Sequence, residues 1–232
     1  MPQLPTLRIG EDVVFTIAVR DLFATPVDAI VNPTNSGLSH GGGLAEIISR
    51  MAGDALDNEC DAYIEREGML ETCAAVMTGA GQLNFKAVIH AVGPRIGNGG
   101  ELFLLEQTIR NVLAVAEQAC EAAEQGDDCP SIESVAFPAI STGRFGIPKS
   151  LCAQAFANVM KEYMQAEQPH KFKIKNVWLC VGIDDFELFA QHFASEKRHS
   201  DQNSDDEEAA EFQLDDEELS GTDDGEIDGW FN

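Results

Sequence analysis

The 232-residue chain is poor in positive charge: 15 Lys and Arg face 40 Asp and Glu, for a formal net charge of -25. Duplex nucleic acid is normally held by a basic face. Only His170 to Lys175 (HKFKIK) gathers cations, so nucleic acid is not an expected partner. Long apolar runs are also missing. No stretch approaches the roughly 18 apolar residues a membrane helix needs, and the opening MPQLPTLRIG lacks the basic and apolar regions of a signal peptide. No membrane partner is expected, and a cytoplasmic location is, or a nucleocytoplasmic one in a eukaryote. Cys60, Cys73, Cys120, Cys129, Cys152 and Cys180 include no C-x-x-C and no paired His spacing. Neither a zinc motif nor a disulfide framework is predicted, no metal is expected, and the thiols read as reduced packing groups. The G-x-x-x-x-G-K-[ST] pattern of P-loop proteins is absent, and Gly79-Ala80-Gly81, without a third glycine, reads as a turn.

The charge that is present is unevenly placed. Residues 200–232 hold 14 acidic residues and no Lys or Arg, leaving 26 acids and 15 bases, or -11, for residues 1–199. Dense charge without apolar periodicity predicts a disordered acidic extension at 200–232 behind one domain at 1–199. Its apolar islands, including Phe212, Leu214, Leu219, Ile227, Trp230 and Phe231, suit a segment that engages a basic protein partner.

Within the domain, short β-branched or apolar runs predict strands at Val13 to Val19, Ala29 to Asn32, Ala74 to Thr78, Ala87 to Ala91, Ser134 to Phe137 and Asn176 to Ile183. Helical spacing predicts helices over Gly42 to Met51, Asp54 to Arg66, Glu101 to Glu124, Ile147 to about Gln165, and Phe186 to Ala194. In the third helix Leu105, Ile109, Val112, Leu113 and Ala116 form one apolar stripe. Alternating strands and helices predict a three-layer α/β/α fold with a mainly parallel central sheet.

Two loops carry chemistry. Val31 to Ala45 (VNPTNSGLSHGGGLA) leaves a strand and runs through three glycines into a helix. Unsatisfied amides and the helix dipole at such a start favour an anion, and glycine lets it approach closely. Phe137 to Pro148 (FPAISTGRFGIP) repeats the design with Ser141, Thr142, Gly143 and Gly146. Two such loops at the carboxyl ends of parallel strands face one crevice and suit a diphosphate. In a net-negative domain, backbone amides and dipoles, with Arg144, must supply the attraction.

Arg20-Asp21-Leu22, VDAIVNPTN (Val27 to Asn35), HGGGLA (His40 to Ala45), VIHAVGP (Val88 to Pro94) and FPAISTGRFGIP together resemble, in order and spacing, the signature segments of the macro domain family. The resemblance covers about residues 8–194. It implies a mixed, mainly parallel sheet between helices that binds ADP-ribose or ADP-ribosylated protein. It further implies that Asp21 accepts from the adenine amino group and that the Leu22 amide meets the ring. Asn35 would orient the distal ribose, while Asn32 ties the loop together. Gly41, Gly42, Gly43 and Leu44 would wrap the distal ribose and a phosphate; Ser141, Thr142, Gly143, Arg144, Phe145 and Gly146 would form the opposing loop, with Phe145 flanking the ribose. Asn35 and His40 are the implied catalytic residues. Ala45 stands where one hydrolase branch has a water-positioning Asp, a feature the sequence shares with archaeal-like and viral-like members. At the adenine-stacking position the sequence has Ile183 before Asp184, with Phe186 as a substitute.

The expected activity is hydrolysis of mono-ADP-ribosyl esters on acidic residues, or of O-acetyl-ADP-ribose, by a phosphate-assisted water without a cofactor. The alternative is a non-catalytic module that reads ADP-ribosylated partners.

Overall fold

Successive residues of a strand point to opposite faces, and this alternation assigns the layers. The computed structural model describes residues 5–10, 13–165 and 173–194, all within the compact unit Met1–Ser195. Its strands are β1 (Thr6–Ile9), β2 (Val14–Val19), β3 (Ala29–Pro33), β4 (Ala75–Gly79), β5 (Ala87–Ala91), β6 (Ser134–Pro138) and β7 (Asn176–Val181). They form one sheet in the order β1-β2-β7-β6-β3-β5-β4. The five central strands run parallel, and β1 and β4 add antiparallel edges. The expected mixed, mainly parallel sheet is met.

Val31, Ile89, Phe137 and Leu179 face one helical layer: α3 (Glu101–Glu124), α4 (Lys149–Gln165) and α5 (Phe186–Ala194). Ile30, Val88, Ala136 and Cys180 face the other, made of α1 (Leu44–Ala52) and α2 (Asp54–Glu67). The predicted α3 stripe is buried along its whole length against the sheet. Burying one such Leu or Ile stabilises the fold by about 1.5–3 kcal/mol. Phe156 of α4 meets Phe137 edge-on at 5.3 Å between ring centroids, and thereby locks α4 over β6. Five of the six cysteines are buried and Cys129 is half-buried; all are free thiols.

Strand β1 was not predicted. It is four residues long with only alternate residues half-covered, so its pairing to β2 rather than its own pattern makes it a strand. Lys173 and Lys175, from the basic cluster, each meet a carboxylate, Glu124 at 2.7 Å and Glu133 respectively. Residues 170–172 of that cluster and the acidic segment 200–232 lie outside the described residues.

At the opposite edge of the sheet from the glycine loops, Asp28 joins the starts of three strands. Its carboxylate accepts from Lys86 Nζ at 2.8 Å, and from Ser134 Oγ and the Glu133 amide, each at 2.9 Å. Burial pushes the carboxyl upward, but the bonds from Lys86, Ser134 and Glu133 outweigh it and hold the group below its ordinary 3.8. A folded value below the unfolded one contributes stability above the ordinary carboxylate range, lost as pH falls through the folded value. Asp28→Asn is therefore expected to destabilise the domain by about 1–2 kcal/mol at pH 7. The gap to wild type should narrow below pH 3.8, as read by urea denaturation across the acid range. A constant gap would remove Asp28 as its source.

Candidate ligand-binding cleft

Strand order builds the site. Because β3 lies between β6 and β5, the chain segments leaving Pro33, Ala91 and Pro138 emerge side by side at the carboxyl edge of the sheet. They enclose a cavity of about 660 Å³, within the range of small-molecule sites. Its walls include Asn35, Ser39 and Gly41 to Ala45 from the first loop, Ser141 to Phe145 from the second, and Gly93 and Arg95 from the segment after β5. The two glycine loops thus face each other as expected.

The first loop ends where Gly43, at φ 67°, caps α1. The opening amides of α1 have no intrahelical acceptor and aim at the cavity side of the turn. At Gly42 an added Cβ would lie 2.4 Å from Arg144 Nη1, so glycine is what allows the second loop to close over the first. Arg144 Nη1 donates to the Gly41 carbonyl at 2.9 Å and bridges the loops. In the second loop Ser141 is buried at φ 63°, and Thr142 Oγ1 donates to the Ala139 carbonyl at 2.9 Å. Gly146 does not line the cavity. At φ 73° it closes the turn by donating to the Gly143 carbonyl at 3.0 Å.

The loop tie expected of Asn32 is made by Asn35 instead. Asn32 is fully buried, and its amide meets His90 Nδ1 on β5 at 3.0 Å, a contact between neighbouring strands. Asn35 is the residue that ties the loop. Its Oδ1 accepts from the amides of Gly37 at 3.1 Å and Ser39 at 3.2 Å, and its Nδ2 lies 2.8 Å from Ser39 Oγ. It also lines the cavity, so the same amide borders any ligand there.

His40 is corrected. Its side chain is only 8% exposed, turned beneath the loop with Nδ1 2.9 Å from Asp57 Oδ1 on α2, and it lines no part of the cavity. Below it, burial and then the nearby His40 hold His90 neutral, its pKa lowered to about 3. Burial, and then Asp57, Asp61 and Glu59, push the Cys60 thiol up to about 12.

The residues expected at an adenine end do not line the cavity either. Asp21 caps a single 3-10 turn, accepting from the Phe23 amide at 3.0 Å, and Leu22 is buried behind it. Ile183, 57% exposed, and Asp184, also exposed, follow β7. Since β7 separates β2 from β6, these residues occupy the same carboxyl edge beside the cavity, on open surface.

Sequence reasoning missed Ser39, Gly93 and Arg95. The signal for Arg95 was a cation immediately after the VIHAVGP segment of an acidic domain. Its guanidinium lies 4.1 Å over the Phe145 ring, and the Ile96 amide donates to the Phe145 carbonyl at 2.9 Å. These contacts fasten the second loop to the β5 side. Among the described residues lining the cavity there is no carboxylate, imidazole or thiol.

The arrangement defines an α/β protein whose parallel sheet presents a two-loop, backbone-lined anion cleft. The Macro domain family model matches residues 31–156. An uncharacterized protein of Sulfolobus acidocaldarius is 42% identical over 173 residues, covering 75% of this chain and 86% of that one. The O-acetyl-ADP-ribose deacetylase of Salmonella typhimurium is 40% identical over 146 residues, covering 62% and 75%. A mutant Oceanobacillus iheyensis macrodomain solved with ADPR superposes at a TM-score of 0.69 and 24% identity, over 84% of this chain and 100% of that chain. The chain belongs to the macro domain family, and its archaeal relative agrees with the kinship implied by Ala45.

Proposed function

We propose that the chain binds ADP-ribose in this cleft and hydrolyses mono-ADP-ribosyl esters on acidic side chains, or O-acetyl-ADP-ribose. The observation that carries the reading is the facing pair of glycine loops with Asn35 in the cavity wall. It is supported by the 40% identity to the Salmonella deacetylase and by ADPR in a neighbour of the same fold. In this reading the diphosphate lies between the start of α1 and the Ser141 to Arg144 loop. The distal ribose lies between Asn35 and Phe145, and the adenine extends over the carboxyl ends of β7 and β2.

A cavity without an ionisable base requires the ligand to take part. The water adds to the ribose anomeric carbon as its bond to the ester oxygen breaks. The carboxylate leaves with the bonding pair, and the water's proton passes to a diphosphate oxygen. Binding energy from both ends of the ligand supplies the alignment, and loop amides stabilise developing charge. A carboxylate is a good leaving group, so little side-chain chemistry is needed.

The alternative, a module that binds without turnover, is favoured by the same lack of a base and by the apolar Ala45 in the wall. Calorimetry with ADP-ribose is expected to give one saturable site. A gel assay on Glu-linked ADP-ribosylated protein is expected to show release well above the enzyme-free control. Absence of binding overturns the reading altogether; binding with release no faster than the control selects the module.

A further inference from the structure

Beneath the first loop, three elements bring together groups that neither the motifs nor the cleft account for: His40 before the glycines, Cys60 on α2 and His90 on β5. Their donor atoms all lie within 4.8 Å of one another. We propose that His40 Nε2, Cys60 Sγ and His90 Nε2 form a zinc site, separate from the ligand cleft and joined to it through the chain at Gly41.

The geometry fits. Zinc takes thiolate at about 2.3 Å and imidazole at about 2.0 Å, which in a tetrahedral shell separates sulfur and nitrogen by roughly 3.6 Å. Cys60 Sγ and His90 Nε2 stand 3.7 Å apart. Ligating histidines hold their other nitrogen with a carboxylate or carbonyl. His40 Nδ1 lies 2.9 Å from Asp57 Oδ1, a buried carboxylate oxygen with no hydrogen-bond partner that would take the Nδ1 proton after a small turn of the ring. His90 Nδ1 meets the Asn32 amide at 3.0 Å, while Asn32 Oδ1 is buried without a partner. Turning that amide by half a revolution makes Oδ1 the acceptor of an Nδ1 proton and gives the orphaned oxygen its partner. Both imidazoles then present Nε2 lone pairs toward Cys60.

One of those atoms has no other explanation. His40 Nε2 is buried without a hydrogen-bond partner on a side chain only 8% exposed, and such orphans call for an ion or a water. Thr78 Oγ1, 2.9 Å from His90 Nε2, also donates to the Gly79 carbonyl at 3.0 Å, so metallation strands no hydroxyl. Asp57, Asp61 and Glu59 surround Cys60 with negative charge, which opposes a bare thiolate but favours the cation that creates one. On binding, the thiol proton leaves to solvent and sulfur keeps the pair that forms the Zn–S bond. Three protein ligands leave the fourth position to a water. The ion would pin the residue before Gly41 to both α2 and β5, and so hold the first glycine loop in place.

The test uses the full chain, stripped with a chelator, without ADP-ribose. Co2+ is expected to give thiolate-to-metal charge-transfer absorption and the visible bands of four-coordinate cobalt. Zn2+ should displace it at one equivalent and raise the thermal midpoint by mass action. Cys60→Ser should abolish the charge-transfer band, and His40→Gln should weaken Zn2+ by about a thousandfold, beyond the usual 10–100-fold reach of an outer partner. If Cys60→Ser does not fold, His40→Gln decides alone. A missing charge-transfer band, or unchanged Zn2+ affinity in His40→Gln, overturns the site. Neither result depends on turnover or ADP-ribose binding.

Discussion

Asn35→Ala is expected to slow release of ADP-ribose from a Glu-linked substrate by about 10²–10³-fold, the range for removing one aligned polar group from a reacting centre. ADP-ribose affinity should stay within about tenfold, or roughly 1.4 kcal/mol. The split follows from where the side chain lies. Asn35 lines the cavity, and in the proposed pose it meets the distal ribose while adenine and diphosphate draw on the other loop and on α1. Because Asn35 also ties Gly37 and Ser39, the alanine variant alone could slow turnover simply by loosening the loop. Ser39→Ala separates the two: it removes the hydroxyl 2.8 Å from Asn35 Nδ2 but leaves the amide facing the ligand. Single-turnover rates should fall far less in Ser39→Ala than in Asn35→Ala. Equal losses would assign Asn35 to loop structure and withdraw it from the reaction.

Gly93→Val is expected to weaken ADP-ribose by about a hundredfold, roughly 2.7 kcal/mol, measured by calorimetry alongside a thermal melt. Gly93 follows β5 and forms part of the cavity wall. Even a Cβ there would lie 2.1 Å from Ser141 Oγ and 2.8 Å from Ile140 Cγ2. Alanine already requires both the Ser141 hydroxyl and the Ile140 methyl to give way, and the two further methyls of valine add to both clashes. Ser141 cannot simply withdraw. It is held at φ 63°, and its carbonyl accepts from the Ile147 amide at 3.0 Å, which ties it to the approach to α4. The strain is therefore relieved by moving the second loop, the wall assigned to the diphosphate. Wild-type affinity in a folded Gly93→Val protein would show that this wall does not touch the ligand.

The layers were legible because they depend on local periodicity. The α3 stripe from Leu105 to Ala116 and the alternation of Ile30 and Val31 each specify a buried face without reference to the rest of the chain. The glycine loops were legible for a related reason: small residues between a strand and a helix have few other uses. Side-chain direction was not legible. Whether His40 faces the ligand or the core depends on Asp57, a residue of α2 with no sequence signal linking the two. The burial of Asn32 has the same origin, since it ends up opposite His90 only through the β3–β5 register. Spacing rules for metal motifs likewise could not see a cluster drawn from a loop, a helix and a strand.

The hydrogen bond from Arg144 to the Gly41 carbonyl bears on time rather than affinity. It joins the two loops that line the cleft, so on the proposed reading a diphosphate held between them leaves only as the loops part. Parting them means breaking a charge-assisted bond of about 1.5–3 kcal/mol. The bond is remade behind the departing ligand and therefore lengthens occupancy without adding to the equilibrium constant. On the proposed reading, the residence of ADP-ribose in the cleft is thus set in part by one guanidinium.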